Sequence, residues 1–244
     1  PISTLFPYTT LFRSVIGNIN TSPSPEPCYN SVKAVDAGKG CIYLYGNYAG
    51  DVMNFDIGAE MAAEDGIRVE TVLVTDDVIS SADVEGRRGI AGDFFVFKVA
   101  AAAAEEGHDL DGVVAAAKKA NANCATMGVA LGAAEHPTTG KEMFEMDSGD
   151  MEIGMGIHGE PGVRRGKTEP ADSVVKEIMD VLVPELKLVK GDEVCVLVNS
   201  LGATPLMDLL VAYRKVAEIL EELGVGVHKT FIGSYASTMN MPGS

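Results

Sequence analysis

Along most of the chain, the hydrophobic positions switch between a two-residue and a helical period. "GCIYLYG" (40–46) is β-branched and aromatic and closes on glycine, which predicts a strand. "NFDIGAEMAAEDG" (54–66) spaces its apolar residues as a helix does. It stops at Gly66, the residue type that tolerates the left-handed turn after a helix. A strand with an acidic exit is predicted over 68–77, and helices over 89–107 and 110–122. From residue 125 a second set begins. Strands are predicted over 125–134 and 151–157, then a helix over 171–183, a strand over 193–202, a helix over 203–224 and a strand over 225–233. The helix over 203–224 has the strongest pattern in the chain. Thr204 suits its N-cap, Pro205 its first turn and Gly224 its stop. Such alternation predicts an α/β protein with crossover helices, in two subdomains spanning 15–124 and 125–244.

The first fourteen residues, "PISTLFPYTTLFRS", follow neither period. "TLFPYTTLFRS" matches the translation of a common DNA sequencing adapter, so residues 1–14 are expected to be an artefact and are set aside from the fold. On that reading the natural sequence begins near Val15.

Composition narrows the function classes. A length of 244 residues allows one large domain or two ordinary ones, and 46% hydrophobic residues with few aromatics fit an aliphatic core. The formal net charge of −16 argues against nucleic acid or an anionic membrane surface as a partner. The apolar runs fall short of the ~20 residues a membrane span needs. Cys28, Cys41, Cys124 and Cys195 form no C-x-x-C pair. They read as buried small hydrophobes in a reducing cytoplasm, and no metal site is expected.

Candidate chemistry gathers in two places. "EIGMGIHGEPGVRR" (152–165) sets His158 among glycines, beside Glu160. Gly154, Gly156 and Gly159 match G-x-G-x-x-G, but a dinucleotide fingerprint needs a helix to open on the glycines, and Pro161 and Gly162 block one. Gly156 and Gly159 would instead let a small ligand approach the ring, with Glu160 orienting a nucleophilic imidazole. A plain loop histidine among turn glycines is the alternative. In "GNYAGDVMNFD" (46–56), Asp51 stands between a strand end and a helix, placed either as a general base or as a helix cap. Arg87 and Arg88 in "EGRRGIAG" either clamp a phosphate, contact an acidic partner, or are solvated helix-start arginines, the commoner case. "NSLGATP" (199–205) reads as a turn into a helix. His108, His136 and His228 lack metal-ligand spacing.

Together these motifs resemble one family. "TSPSPEP" (21–27), "NYAGDVMNFD" (47–56), "GRRGIAG" (86–92), "EIGMGIHGEPG" (152–162) and "NSLGATP" (199–205) occur in the order found in dihydroxyacetone kinases, in their DhaK-type sugar-binding subunit. The resemblance runs from Val15 to Ser244. It implies mixed sheets flanked by helices and a kinase acting on dihydroxyacetone, with His158 adding covalently to the ketone as a hemiaminal. Asp51 would contact a substrate hydroxyl and help deprotonate it. No cofactor would be bound by this chain. ATP, or ADP recharged by the phosphotransferase system, would come with Mg on a DhaL-type nucleotide-binding partner. A cytoplasmic homodimer is implied as well. Three departures matter. The family's glycine-rich opening with a second catalytic histidine is not found, and the residues as given stop at "NMPGS", so they are expected to be inactive alone. The position five before the aspartate, lysine in the family, is Gly46 here. That substrate-binding position leaves open a longer ketose such as erythrulose. A non-catalytic, dihydroxyacetone-binding transcriptional coactivator is the alternative of a different class.

Overall fold

The computed structural model describes residues 14–18 and 21–244, so the adapter reading falls almost wholly outside the described residues. The chain divides into two compact units, one of residues 1–75 and 92–124, the other of residues 76–91 and 125–244.

The first unit is built on two parallel strands, β1 (Cys41–Gly46) and β2 (Val69–Val74), in register from Cys41 opposite Val69 to Gly46 opposite Val74. Alternate side chains point to opposite faces. On one face Cys41, Tyr43 and Tyr45 pack against α1 (Pro25–Val35) and α2 (Ala49–Glu64), in a core with Cys28, Val32, Phe55 and Ala62. Phe55 lies edge-on to Tyr43 and stacked on Tyr45. On the other face, α3 (Asp93–Glu105) and α4 (Leu110–Ala122) bury Val96, Ala100, Val113 and Ala117 against Val72 and Val74.

The pattern did not predict α1. Its signals are a proline at the start and apolar residues four apart at Cys28 and Val32. Helix α2 begins five residues earlier than predicted, because its first turn, Ala49-Gly50-Asp51, carries no apolar periodicity. Gly66 takes φ +78 just past its end, as expected.

The second unit holds an antiparallel sheet of β3 (Val129–Ala130), β4 (Asp150–Ile153) and β5 (Arg164–Lys167), and a parallel pair, β6 (Glu193–Asn199) and β7 (Gly226–Gly233). The two strand senses thus occur in different sheets. Helix α5 (Ala171–Glu185) covers β3 and β4 through Val174, beside Met127, Met151 and Ile153. With α6 (Leu206–Leu223), α5 also buries Val175, Met179 and Leu220 over β6 and β7.

Three expectations change here, and one strand is added. Strand β3 is two residues long rather than spanning 125–134, although its free edge is taken up by the chain's last residues. Val129 N–H donates to Ser244 O at 2.7 Å and Leu131 N–H to Pro242 O at 2.8 Å. Strand β5 has no apolar pattern to announce it. Its register is set by charge, with Arg165 opposite Glu152 and Lys167 opposite Asp150, each pair closed by an ion pair of 2.6 and 2.5 Å. Thr204 is not the cap of α6. Pro205 takes that position, while the Thr204 hydroxyl accepts from Gly243 N–H at 2.7 Å and donates to Gly243 O at 2.6 Å. Gly224 ends the helix at φ +70, as predicted. Of the cysteines, Cys28 and Cys41 are buried, Cys124 is half-buried, and Cys195 is exposed on the outward positions of β6.

Residues 76–91 belong with the second unit, not the first. Asp76 Oδ1 accepts from Ile90 N–H at 2.8 Å and Oδ2 from the Thr126 hydroxyl at 2.5 Å, while Val78 N–H donates to Thr126 O. Strand β2 ends at Val74 before this segment, and α3 starts at Asp93 after it. Among the described residues no helix is long and apolar enough to cross a membrane.

Candidate active site

His158 sits in the loop joining β4 to β5. The two strands hold the loop's base shut. Gly154 N–H donates to Gly128 O at 2.7 Å, Val163 N–H to Ile153 O at 2.9 Å, and Gly162 N–H to the buried Glu152 carboxylate at 2.6 Å. Inside the loop, Gly156 N–H reaches Glu160 O at 3.0 Å and Gly159 N–H reaches Gly156 O at 3.1 Å. Met155 and Ile157 pack into a core of Ala130, Ala134, Leu201 and Met241, with Phe144 alongside. The residue between them is Gly156, and the one after Ile157 is His158, which is exposed. The loop is thus anchored through its apolar residues and presents the imidazole outward.

Glu160 binds His158 twice. Its Oε2 accepts from the His158 backbone N–H at 3.1 Å, and its Oε1 lies 3.1 Å from ring Nδ1. A carboxylate at Nδ1 favours the proton there, which leaves the lone pair on Nε2. Burial pushes the Glu160 carboxyl up, but the hydrogen bonds from the His158 ring and the two backbone amides outweigh it, and the group lies below its usual value. Behind Glu160 stands Arg88, with Nη1 at 4.0 Å from Oε2 and Nη2 donating to Gly154 O at 3.1 Å.

The glycines do not open space for a ligand in the way the sequence suggested. A Cβ on Gly156 would lie 2.2 Å from Glu160 Oε2 and 2.6 Å from Arg88 Nη1; one on Gly159, at φ +88, would lie 2.7 Å from the Phe144 ring. The protein's own groups fill both gaps. The glycines let Glu160, Arg88 and Phe144 close around the loop.

Gly46 and Asp51 lie together in the first unit, where the chain leaves β1 and enters α2. Asn47 N–H donates to Val74 O at 3.0 Å and Tyr48 N–H to Gly46 O at 2.9 Å, which turns the backbone at the carboxyl end of the strand. Tyr48 is the N-cap of α2, so Asp51 is not the cap that the sequence allowed. It is half-buried in the helix's first turn, and its side chain makes no hydrogen bond among the described residues. Its charge is felt nearby. Burial, and then Asp51, push the Cys28 thiol up to about 11. His158 belongs to the second unit.

Neither arginine of "GRRG" is solvated. Arg87 is buried, donating from Nη1 to Glu185 at 2.8 Å and from Nε to Ser81 O at 3.1 Å. Arg88 Nε donates to the buried Asp77 carboxylate at 2.9 Å. Sequence reasoning missed Asp77 and Phe144, which have no motif of their own. His136 binds within its own turn, through Thr138 N–H, and His228 faces Glu193 on the surface. Among the described residues no three His, Cys, Asp or Glu side chains cluster as a metal site.

The Dak1 domain model matches residues 8–244, a span that also takes in residues 8–14, set apart in the sequence reading. The chain belongs to the Dak1 domain family. The dihydroxyacetone-binding subunit DhaK of the PTS-dependent dihydroxyacetone kinase 2 of Listeria innocua serovar 6a is 64% identical over 230 residues. That similarity covers 94% of this chain and 70% of that protein. Among solved structures, the Dha-DhaQ dihydroxyacetone kinase operon co-activator superposes with a TM-score of 0.84 at 28% identity, over 91% of this chain and 69% of that one. The dihydroxyacetone kinase from C. freundii in complex with AMP-PNP and Mg2+ gives a TM-score of 0.83 at 31% identity, over 91% of this chain and 41% of that one. The Dak1 match gives the helix-flanked α/β architecture its family.

Proposed function

We propose that this chain is the sugar-binding subunit of a dihydroxyacetone kinase and that His158 holds the ketone covalently while its terminal hydroxyl is phosphorylated. The carrying observation is Glu160 bridging the backbone N–H and ring Nδ1 of an exposed His158. The Nε2 lone pair attacks C2, the C–N bond forms, and the C=O π pair moves onto oxygen. Oxygen takes up a proton as the ring gives up the one on Nδ1, so the hemiaminal is neutral overall. The ionised Glu160 offsets the positive charge that addition places on the ring. Glycerol has no carbonyl to accept the nitrogen and is refused by chemistry rather than by size.

Asp51 accepts the proton of the terminal hydroxyl as the phosphoryl group arrives. ATP or ADP, with Mg, belongs to a DhaL-type partner subunit. The C. freundii kinase named with AMP-PNP and Mg2+ supports that assignment to the kinase assembly. The subunit works as a cytoplasmic homodimer, as the resemblance to the kinase family implies. Gly46, at the end of β1, carries no side chain where the resembling family carries lysine, which leaves room for a longer ketose such as erythrulose. The likeness to the co-activator supports a second reading, a ketone-binding regulator. Asp51 favours the enzyme, because binding alone has no need of a base.

The test uses dihydroxyacetone labelled with 13C at C2. The carbonyl signal should move into the tetrahedral range on binding, be lost in His158→Ala, and withstand excess glycerol. Erythrulose should give the same adduct. Glycerol competing on equal terms, or an adduct that survives in His158→Ala, would overturn the assignment.

A further inference from the structure

Two adjacent arginines, alike in sequence, have different partners. Arg87 ties the 76–91 segment to the last residue of α5 through Glu185. Arg88 faces the histidine loop instead. Its foundation is Asp77, 1% exposed, whose Oδ2 receives Arg88 Nε at 2.9 Å and Nη2 at 2.8 Å. Asp77 Oδ1 is buried without a hydrogen-bond partner among the described residues. The neighbouring Asp76 is committed to Ile90 N–H and the Thr126 hydroxyl. The main chain of Arg88 is pinned too, its N–H donating to Ser80 Oγ at 3.0 Å. With Nε and Nη2 spent on Asp77 and Gly154 O, the remaining edge, Nη1, faces Glu160 Oε2.

Both of those atoms occupy the space above Gly156 Cα that a side chain would fill. Arg88, distant in sequence, therefore shares one small volume with Gly156 and with Glu160, whose carboxylate holds the ring. A carboxylate on an exposed loop has several rotamers of similar energy. A fixed cation behind one oxygen selects the rotamer whose other oxygen meets Nδ1.

We propose that Arg88, anchored on Asp77, is a positioning residue that holds Glu160 in its bridging pose and thereby sets the tautomer of His158. The proposal deepens the reading of His158 as the ketone anchor and rests on it for its consequence, not for its geometry. In this role Arg88 is not itself a catalytic group. It acts through Glu160, and Arg87 is its structural counterpart.

The experiment reads the ring directly. Protein labelled with 15N in histidine, without ketone, is examined by long-range 1H–15N correlation. Wild type should show His158 with the proton on Nδ1. Arg88→Met should give a mixture of tautomers and weaken the 13C ketone adduct about tenfold or more, and Arg88→Lys should restore part of both. Arg87→Met should lower the melting temperature and leave the His158 signals in place. Asp77→Asn keeps the volume but weakens the anchor, and should shift the tautomer in the same direction as Arg88→Met. It decides the matter if Arg88→Met does not fold. An unchanged His158 tautomer in folded Arg88→Met or Asp77→Asn would overturn the proposal, as would an equal change in Arg87→Met. A wild type that forms no ketone adduct would instead overturn the reading of His158 as anchor, while the tautomer signals would still judge Arg88.

Discussion

Gly156→Ala tests the construction of the site with one carbon atom. Gly156 does not adopt a positive φ, so its backbone accepts alanine and the effect is steric alone. The new Cβ would lie 2.2 Å from Glu160 Oε2, 3.0 Å from Glu160 Cδ and 2.6 Å from Arg88 Nη1. Ordinary contact requires the carboxylate to retreat by about 1 Å. A retreat of that size takes the 3.1 Å bonds to the His158 backbone and Nδ1 beyond hydrogen-bonding range. Hydrogen bonds to charged groups contribute roughly 1.5–3 kcal/mol each. The Glu160 side chain is 31% exposed, so water replaces part of that and the low end applies. A net loss of about 1.5 kcal/mol, expressed in ring placement, corresponds to about tenfold weaker ketone binding. Titration with 13C2-dihydroxyacetone measures it, and thermal unfolding should show only a modest drop. Gly159→Ala is the contrast. At φ +88, and with its Cβ against the Phe144 ring, it should lower the melting temperature more than Gly156→Ala does, while leaving the Glu160–His158 pair intact. Wild-type ketone affinity in Gly156→Ala would refute the idea that these glycines exist for Glu160 and Arg88.

Two further outcomes follow from the same geometry. Asp51→Asn should keep the ketone adduct yet lose phosphoryl transfer by about 10²–10⁴-fold when the nucleotide-binding subunit is supplied; normal turnover would reduce Asp51 to a helix-terminus charge. Glu160 and Glu185 both have folded carboxyls below the usual 4.5, so each contributes stability that is present above that value and lost as pH falls through the lower folded one. Asp77, pushed up first by burial against the pull of Arg88, acts in the opposite sense. Melting temperatures from pH 7 to pH 3 should therefore fall below about pH 4.5. Glu160→Gln and Glu185→Gln should each flatten that fall, and an unchanged slope in both would contradict the assignment.

What the sequence determined by itself was whatever a local period or a short motif can carry. The strand over 40–46 and the helix over 110–122 appear within a residue of where they were predicted, because alternation and helical spacing express burial against one neighbouring layer. Gly66 and Gly224 marked helix ends because only glycine takes the left-handed turn at little cost. The candidates His158, Glu160 and Asp51 were legible from their company of glycines and turns. Everything that depended on a distant partner was not. Strand β5 is held by charges matched to β4, a pattern that looks like a solvated loop until Glu152 and Asp150 are seen opposite it. The 76–91 segment joins the second unit through Asp76 and Thr126, fifty residues apart. Arg87 and Arg88 are indistinguishable in sequence, and only tertiary packing sends one to Glu185 and the other toward Glu160. The loop glycines make the same point: their sequence advertised empty space beside a ring, and the fold had already filled it with a carboxylate, a guanidinium and a phenyl group. A missing side chain is a local fact, but what occupies its place is decided by chain segments that meet only when the protein has folded.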